Sequence, residues 1–297
     1  MQAALLSDRG VIRVSGETAR GFLNGLLTAN IETLTPGAAR FAALLTPQGK
    51  IVVDGLVAEA PAEDGGGFYI DCPRALAPIF VERLTLYRLR AKIAVEDLSE
   101  TLGVLALWGG NASASDYGLL YADPRLAALG TRLILPPAVA SEAAADLGAS
   151  LVDEAAYEAH RIALGVPRGG IDFIYNDAFP HDADMDQLGG VDFKKGCYVG
   201  QEVVSRVEHR GTARARVVPV LCAGGLPDAG LPVTAGDKTV GVMGSSAAGR
   251  GLALLRLDRV DAALAAGEQI SAGGLPLQLG PLDWARFPIP GQAKAGA

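Results

Sequence analysis

Cys197 is the residue of this sequence whose neighbours best suit chemistry at a side chain. It lies two residues after Lys195 in the stretch from Asp192 to Arg216, which carries six cationic and three acidic side chains in a chain of net charge -7. Positive charge near a thiol favours the thiolate, the form that attacks electrophiles or binds a soft metal. The stretch therefore indicates either an anion-attracting surface with a functional thiol or a solvated face around an inert, buried cysteine.

The residues around Cys197 are typical of a loop beside a ligand. Gly200 permits tight backbone geometry or the close approach of a ligand. Gln201 and Glu202 follow it and add acceptors for the amide-like edge of a heterocycle. Tyr198 either packs beneath such a ligand or anchors the loop, and the sequence does not decide between these roles.

The segment KGCYVGQE, residues 195–202, is followed by Arg206 and by Arg210-Gly211. This pattern closely resembles the signature of the YgfZ-type folate-binding proteins. They are relatives of the glycine-cleavage T-protein, an aminomethyltransferase, and include a mitochondrial iron–sulfur assembly factor. A weaker resemblance covers residues 14–55, residues 161–167 and the C-terminal region. The resemblance therefore extends over most of the chain but is sharp only around the cysteine.

The resemblance implies an α+β fold in which T-protein-like lobes surround a central tetrahydrofolate pocket, with a small antiparallel β-barrel at the C-terminal end. The implied cofactor is tetrahydrofolate or a one-carbon derivative. The implied role is support of the assembly or repair of iron–sulfur proteins, including enzymes that modify transfer RNA, with Cys197 as the reactive residue. The implied partners are iron–sulfur assembly proteins or client enzymes, with no direct contact to nucleic acid or membrane.

A folate sets clear requirements for the residues that bind it. A pterin needs a concave apolar site with a few hydrogen-bonding groups, and its glutamate tail carries carboxylates. Arg206 and Arg210 can hold such a tail through paired hydrogen bonds, and Asp54 can accept from the amino edge of the pterin. With the signature segment, the complete predicted cofactor-binding set is Asp54, Lys195, Tyr198, Gly200, Gln201, Glu202, Arg206 and Arg210.

Two other functions stay open. T-proteins resemble one another in a paired Asp-Asp where this chain has Val53-Asp54, and in an acidic residue where it has Ala163. They also lack a cysteine at the position of Cys197. Loss of a positioned carboxylate commonly costs ~10²–10⁴ in rate, so aminomethyl transfer is the alternative. A cysteine hydrolase that uses a histidine is a third possibility, because sequence spacing does not exclude that geometry; the candidate bases are His160, His181 and His209.

Several common sites are excluded by spacing. Residues 182–186 imitate the start of a calcium loop, but Gln187 stands where the loop needs Gly and Phe193 where it needs a bidentate Glu. No complete phosphate-binding or dinucleotide-binding glycine pattern is present. The histidines show no metal-ligand spacing with the cysteines, so no metal site is predicted.

Length, composition and cysteine usage suggest the class and compartment of the protein. The 297 residues suffice for two compact units, and 49% hydrophobic with 20% charged residues is a globular composition. A net charge of -7 argues against general binding to nucleic acid or anionic membranes. No basic, apolar leader or membrane-length segment is visible, and three widely separated cysteines indicate a reducing compartment. A cytoplasmic location is expected.

The elements that must position Cys197 and Asp54 follow from hydrophobic spacing. Ser15 is the expected N-cap of a helix over residues 19–27, and Pro73 the expected start of another helix. Residues 41–45 and 51–57 predict a hairpin that carries Asp54.

Further along the chain, Asp153 and Gly165 are the expected ends of one more helix. From about residue 216, short β-like runs alternate with Gly, Pro and Asp turns, which is typical of a small barrel. The predicted domains are therefore residues 1–215, the folate-binding region, and 216–297, the barrel.

Overall fold

The computed structural model describes residues 1–211, 213–223 and 225–292. The chain forms two compact units. The first unit contains Met1–Tyr157 and Leu188–Gln201, and the second contains Glu158–Gln187 and the described part of Glu202–Ala297. The predicted division at residue 215 stays a prediction, and the two compact units follow a different division of the chain.

The first unit is built on two five-stranded sheets, with orders β10-β1-β7-β9-β8 and β3-β4-β5-β2-β6. Their pairings are antiparallel except that β1 and β10 run parallel. The strands are β1 Gln2–Leu6, β2 Arg9–Ser15, β3 Ala39–Leu45, β4 Ile51–Glu59, β5 Phe68–Pro73, β6 Ala94–Asp97, β7 Gly103–Trp108, β8 Leu119–Ala122, β9 Thr131–Leu135 and β10 Ser150–Leu151.

Six α-helices are described in the chain. They are α1 Ala19–Leu26, α2 Ala77–Arg88, α3 Ala140–Asp146, α4 Glu154–Ala163, α5 Gln201–Arg210 and α6 Leu257–Ala265. Short 3₁₀ turns cover Arg74–Leu76, Ala127–Leu129 and Pro137–Val139. Within residues 1–211, 213–223 and 225–292, no helix combines the length and hydropathy needed to cross a membrane.

The second unit contains a seven-stranded antiparallel sheet of order β16-β15-β12-β13-β14-β11-β17. Its strands are β11 Ala215–Leu221, β12 Pro232–Ala235, β13 Lys238–Ala247, β14 Arg250–Arg256, β15 Ile270–Ala272, β16 Leu275–Pro276 and β17 Gln278–Leu279. Val260 and Ala263 of α6 join Val218, Met243 and Leu255 in its hydrophobic core. The predicted small antiparallel β domain at the C-terminal end is confirmed.

One predicted helix start is wrong. Ser15 ends β2, where it pairs with Ala94, and the N-cap of α1 is Thr18, because the sheet pairing continues through Ser15. Pro73 ends β5 opposite Arg9 and is also the N-cap of the 3₁₀ turn Arg74–Leu76, which leads directly into α2. The predicted start of α4 is correct, because Asp153 Oδ1 accepts from the backbone N of Ala156 at 3.0 Å.

A buried ionic cluster joins the two sheets of the first unit. Asp71 on β5 is fully buried and accepts from Arg9 Nε at 2.6 Å and from Arg132 Nη1 of β9 at 2.5 Å. The Tyr121 hydroxyl of β8 donates to Oδ2 of Asp71 at 3.2 Å. Burial alone would raise the pKa of Asp71, but the two guanidinium groups hold it below its ordinary value. The buried charges of Asp71, Arg9 and Arg132 therefore stabilise one another.

Replacement of Asp71 by Asn should destabilise the protein strongly. The amide leaves the buried Arg9 without its ion-pair partner and Arg132 with only Asp123, which costs about 3–5 kcal/mol in free energy of unfolding. Because the pKa of Asp71 is lowered by folding, its contribution is full above about pH 4 and is lost as pH falls through the folded-state pKa. Urea unfolding of both proteins at neutral and acidic pH measures this.

The matched control is Asp258→Asn, which removes one partner of the exposed Arg256–Asp258 pair. Its expected cost is about 0–1 kcal/mol. Equal losses in free energy of unfolding for the two substitutions would contradict the assignment of Asp71 as the centre of the cluster. A difference between the two losses that does not become smaller at acidic pH would also contradict it.

Candidate functional site

Thr28 anchors the beginning of the loop that carries Cys197. This threonine is fully buried, and its hydroxyl donates to the carbonyl of Gly190 at 2.5 Å while accepting from the backbone N of Ala43 at 2.9 Å. Its own carbonyl accepts from the backbone N of Asp192 at 2.9 Å. The end of α1, strand β3 and the loop are therefore tied through one small side chain.

Asp192 shapes the next turn of the loop. Its Oδ1 accepts from the backbone N of Lys194 at 2.8 Å and from that of Lys195 at 3.1 Å. An aspartate that accepts from backbone groups two and three residues ahead is a common local device for reversing the chain. The turn directs the side chain of Lys195 to the end of α1.

Lys195 holds the loop to the C-terminal end of α1. Its Nζ donates to the carbonyl oxygens of Asn24 at 2.6 Å, Leu27 at 2.6 Å and Ala29 at 2.8 Å. Carbonyls at a helix end lack intrahelical donors, and a cation there interacts favourably with the helix dipole. Burial lowers the pKa of Lys195 to about 8. These four groups form the Lys195 clamp; a role for this residue in cofactor binding stays a prediction.

Tyr198 and Gly200 fix the far side of the loop. The Tyr198 ring centroid lies 5.2 Å from Lys195 Nζ, and burial raises the pKa of its phenol to about 12. Its hydroxyl is buried and has no hydrogen-bond partner in the described ranges. Gly200 has φ 80°, and a Cβ there would lie 2.5 Å from the carbonyl oxygen of Thr46. Only glycine allows the loop to lie against the turn between β3 and β4.

Cys197 is exposed between these two buried neighbours. Lys195 is 9% exposed and Tyr198 7% exposed, so the loop buries the side chains on both sides of the thiol. Cys72 is fully buried, and burial raises the pKa of its thiol; Cys222 is half-buried. Of the three cysteines, Cys197 is the most exposed, and its role as the functional thiol stays a prediction.

Helix α5 follows the loop directly and carries the remaining predicted ligand residues of the signature. Its first residue, Gln201, is partly exposed and donates its backbone N–H to the carbonyl of Tyr198 at 3.3 Å. Glu202 and Arg206 pair with each other at 2.6 Å on the exposed face of the helix. Arg210 is exposed in the last turn. Their roles toward a folate stay predictions.

Asp54 lies on β4, the strand that leaves the turn against which Gly200 packs. It pairs with Ala43 of β3 and is half-buried. Its preceding neighbour, Val53, is fully buried in the hydrophobic core of the first unit. The predicted hairpin therefore places Asp54 on the partly open side of the strand and Val53 on the closed side, while its contact with a pterin stays a prediction.

A cavity of about 360 Å³ lies beside the loop. It is lined by Ala29, Asn30, Thr33, Arg40, Gly189, Val191, Asp192, Phe193 and Lys194. The Oδ1 atom of Asn30 is buried without a hydrogen-bond partner in the described part of the chain. None of the residues predicted to bind a cofactor lines this cavity.

The sequence patterns did not predict roles for Thr28, Asn30 and Asp192. Only Asp192 carried a local signal, because it stands two and three residues before the amides that it accepts from. The partners of Thr28 lie in distant parts of the chain, so spacing alone could not reveal them.

Comparison with known proteins identifies both parts of the fold. Residues 6–124 match the family model of the GCVT N-terminal domain, and residues 214–287 match the C-terminal beta-barrel domain of CAF17. A solved glycine cleavage system aminomethyltransferase T from Bartonella henselae superposes with a TM-score of 0.75 at 17% identity, covering 96% of this chain and 86% of that one. The predicted T-protein-like α+β fold with a C-terminal antiparallel barrel is confirmed.

The predicted cytoplasmic location is wrong. Related chains are named as mitochondrial, among them a protein of Mycosarcoma maydis that is 35% identical over 73% of this chain and 56% of its own. The chain thus spans little more than half of that relative's length. These names contradict the cytoplasmic location inferred from the cysteines. Sparse, unpaired thiols indicate a reducing compartment, but they do not distinguish one reducing compartment from another.

The relative that decides the family is the human iron–sulfur cluster assembly factor IBA57, mitochondrial. It is 32% identical to this chain, and the match covers 86% of this chain and 77% of the human protein. The mouse protein of the same name is 30% identical with the same coverage. Both matches extend over most of this chain and most of the relative. The chain therefore belongs to the family of the IBA57 iron–sulfur cluster assembly factors.

Proposed function

We propose that this protein supports the assembly or repair of iron–sulfur proteins, including enzymes that modify transfer RNA, as a YgfZ-type folate-binding protein. The observation that carries the proposal is the exposed Cys197 thiol, held between the buried side chains of Lys195 and Tyr198. That thiol lies in the signature segment of a chain whose relatives are named iron–sulfur cluster assembly factors.

The coordination chemistry of clusters defines the kind of partner that Cys197 needs. An iron–sulfur cluster takes about four protein or small-thiol ligands, and Cys197 supplies one. The other ligands must come from an assembly protein, a client enzyme or a small thiol. A thiol on a loop that is already ordered loses little conformational entropy when it joins such a shared set of ligands. The Lys195 clamp therefore suits cluster handling between proteins.

Folate binding is the second part of the proposal. It is supported by the T-protein-like fold and by the placement of Asp54 on the partly open side of β4. Arg206 and Arg210 are exposed, and a guanidinium is well suited to pair with the carboxylates of a glutamate tail. Folate would then make the client-supporting activity responsive to one-carbon metabolites.

Aminomethyl transfer remains the alternative because a solved T-protein superposes over 96% of this chain. Two positions weigh against it. Val53 is a fully buried core residue where T-proteins have the first member of an acidic pair, and Ala163 is exposed where they have an acidic residue. Neither side chain can hold a proton or a developing charge.

Replacement of Cys197 by Ala should abolish support of iron–sulfur enzymes in cells that depend on this protein. The thiol is exposed, so the substitution should change the free energy of unfolding by no more than about 0.5 kcal/mol. The measurement is the activity of iron–sulfur enzymes in cells that carry each variant at equal abundance. The control, Cys222→Ala, should behave like the wild type, and full activity of the Cys197→Ala protein would overturn the proposal.

Calorimetric titration with tetrahydrofolate should show saturable binding. Asp54→Ala should weaken it by about 1.5–3 kcal/mol, roughly tenfold to a hundredfold, because a hydrogen bond to a charged group is lost. Arg206→Ala should weaken it less, since Arg206 is exposed and already paired with Glu202. Arg256→Ala, which removes an arginine of the exposed Arg256–Asp258 pair, is the control. Absence of heat at near-millimolar ligand contradicts folate binding but leaves the role of Cys197 intact.

The protein should release little ammonia from a lipoyl carrier loaded with an aminomethyl group. The physical reason is the absence of a carboxylate at Val53 and Ala163. The assay is run with tetrahydrofolate present and is compared with a competent T-protein. Turnover at ordinary enzyme rates, ~1–10³ per second, would establish the alternative function.

A further inference from the structure

A cluster of metal-ligand side chains lies in the second unit, outside the signature segment. Ligand atoms of His181, Asp186 and Glu208 all lie within 4.8 Å of one another. We propose that these three residues bind a divalent transition-metal ion. The site is independent of the proposed function, because it uses neither Cys197 nor any residue assigned to folate.

Two of the three donor side chains are buried, and the third is partly exposed to solvent. His181 is 2% exposed, and the Asp186 side chain is 4% exposed, so both are fixed by the surrounding structure. Glu208 lies in the last turns of α5 with its side chain 43% exposed, and its Oε2 is 3.1 Å from His181 Nε2. An ion bound between them replaces this direct contact, and the flexible glutamate closes the distance from the solvent side.

The charges around the cluster favour a cation. Arg216 Nη1 donates to Asp186 Oδ1 at 2.5 Å and is also shared with Asp184 Oδ1 at 3.3 Å. Asp184 is fully buried, and its Oδ2 has no hydrogen-bond partner in the described ranges. Asp186 and Glu208 thus place two carboxyl groups in a cluster that holds one guanidinium, while burial raises the pKa of Asp184 and disfavours its charged form. The two carboxylates outnumber the guanidinium, and a bound cation balances the excess negative charge.

Arg216 also has a role that is compatible with a metal. Its two terminal nitrogens donate to both oxygens of Asp186, which fixes the carboxylate plane. Carboxylates that bind metals are commonly oriented by hydrogen bonds of this kind, and the lone pairs turned away from the guanidinium remain for the ion.

A cavity of about 310 Å³ borders the cluster and is lined in part by His181, Glu208, Arg216 and Phe287. It leaves room for water or a small ligand in the coordination positions that the three side chains do not fill.

The donor set selects the class of ion. One imidazole with two carboxylates suits Zn²⁺, Mn²⁺ or Fe²⁺, whereas Ca²⁺ and Mg²⁺ prefer oxygen alone and Cu(I) prefers sulfur. The sequence predicted no metal site because His181 and Glu208 are 27 residues apart, far from any familiar ligand spacing. The fold, rather than a motif, brings them together.

The test is calorimetric titration of the untagged, full-length protein with Zn²⁺, supported by the visible absorbance of Co²⁺. Cys197→Ala serves as the background, since the exposed thiol would itself bind soft ions. One equivalent should bind saturably. His181→Ala and Glu208→Gln should each weaken binding by at least the roughly tenfold to hundredfold that loss of a supporting residue costs. The ion should also raise the unfolding temperature of the background protein and not of Glu208→Gln.

His209→Ala is the matched control, because His209 is an exposed histidine on the same helix, adjacent to Glu208. It should leave Zn²⁺ affinity unchanged. Glu208→Gln alters an exposed side chain, so its result stands even if His181→Ala fails to fold. No saturable binding at millimolar Zn²⁺, unchanged affinity in Glu208→Gln, or loss of affinity in His209→Ala would each overturn the proposal.

Discussion

The ammonium of Lys195 is the interaction on which the geometry of the candidate site depends. Three carbonyl oxygens at the end of α1 converge on it, and no other group in the described part of the chain donates to all three. Without that cation the carbonyls would be left buried and unsatisfied, each at a cost of about 1–3 kcal/mol. The clamp therefore joins two segments that are far apart in sequence and holds the loop at Lys195, two residues before Cys197.

The exposure of Cys197 is a consequence of this arrangement. Lys195 turns inward to α1 and Tyr198 covers its ammonium, while Gly200 allows the backbone to approach the turn between β3 and β4. The residue between the two buried side chains and next to the exposed Gly196 faces solvent. A chain that fixes both neighbours of a thiol but leaves the thiol open is suited to exchange a ligand with a partner, which is the role proposed for this family member. The signature segment thus contains residues that hold the loop in place, Lys195 and Gly200, as well as the exposed thiol of Cys197.

Local signals in the sequence predicted much of the fold. The β3–β4 hairpin, the Asp153 cap of α4 and the C-terminal run of short strands all rest on neighbours in the chain, and all were found. Ser15 was wrong as a helix N-cap because strand pairing with a distant residue, Ala94, extends through it. The role of Lys195 could not be predicted, because its acceptors are backbone carbonyls 166–171 residues away and carry no side-chain pattern. The cluster of His181, Asp186 and Glu208 was not predicted because His181 and Glu208 are 27 residues apart, which matches no familiar ligand spacing. The resemblance pointed to the correct segment, but only the fold distinguishes its anchoring residues from its exposed one.

The most direct test compares amide hydrogen exchange across residues 192–200 in Lys195→Met and Lys194→Met. Lys194 is the exposed neighbour of Lys195, so its replacement removes the same charge without touching the clamp. Loss of the clamp should accelerate exchange in this segment by roughly tenfold or more, the equivalent of about 1–3 kcal/mol, while Lys194→Met leaves it unchanged. Equal exchange in both variants and the wild type would contradict the claim that Lys195 holds the Cys197 loop in place.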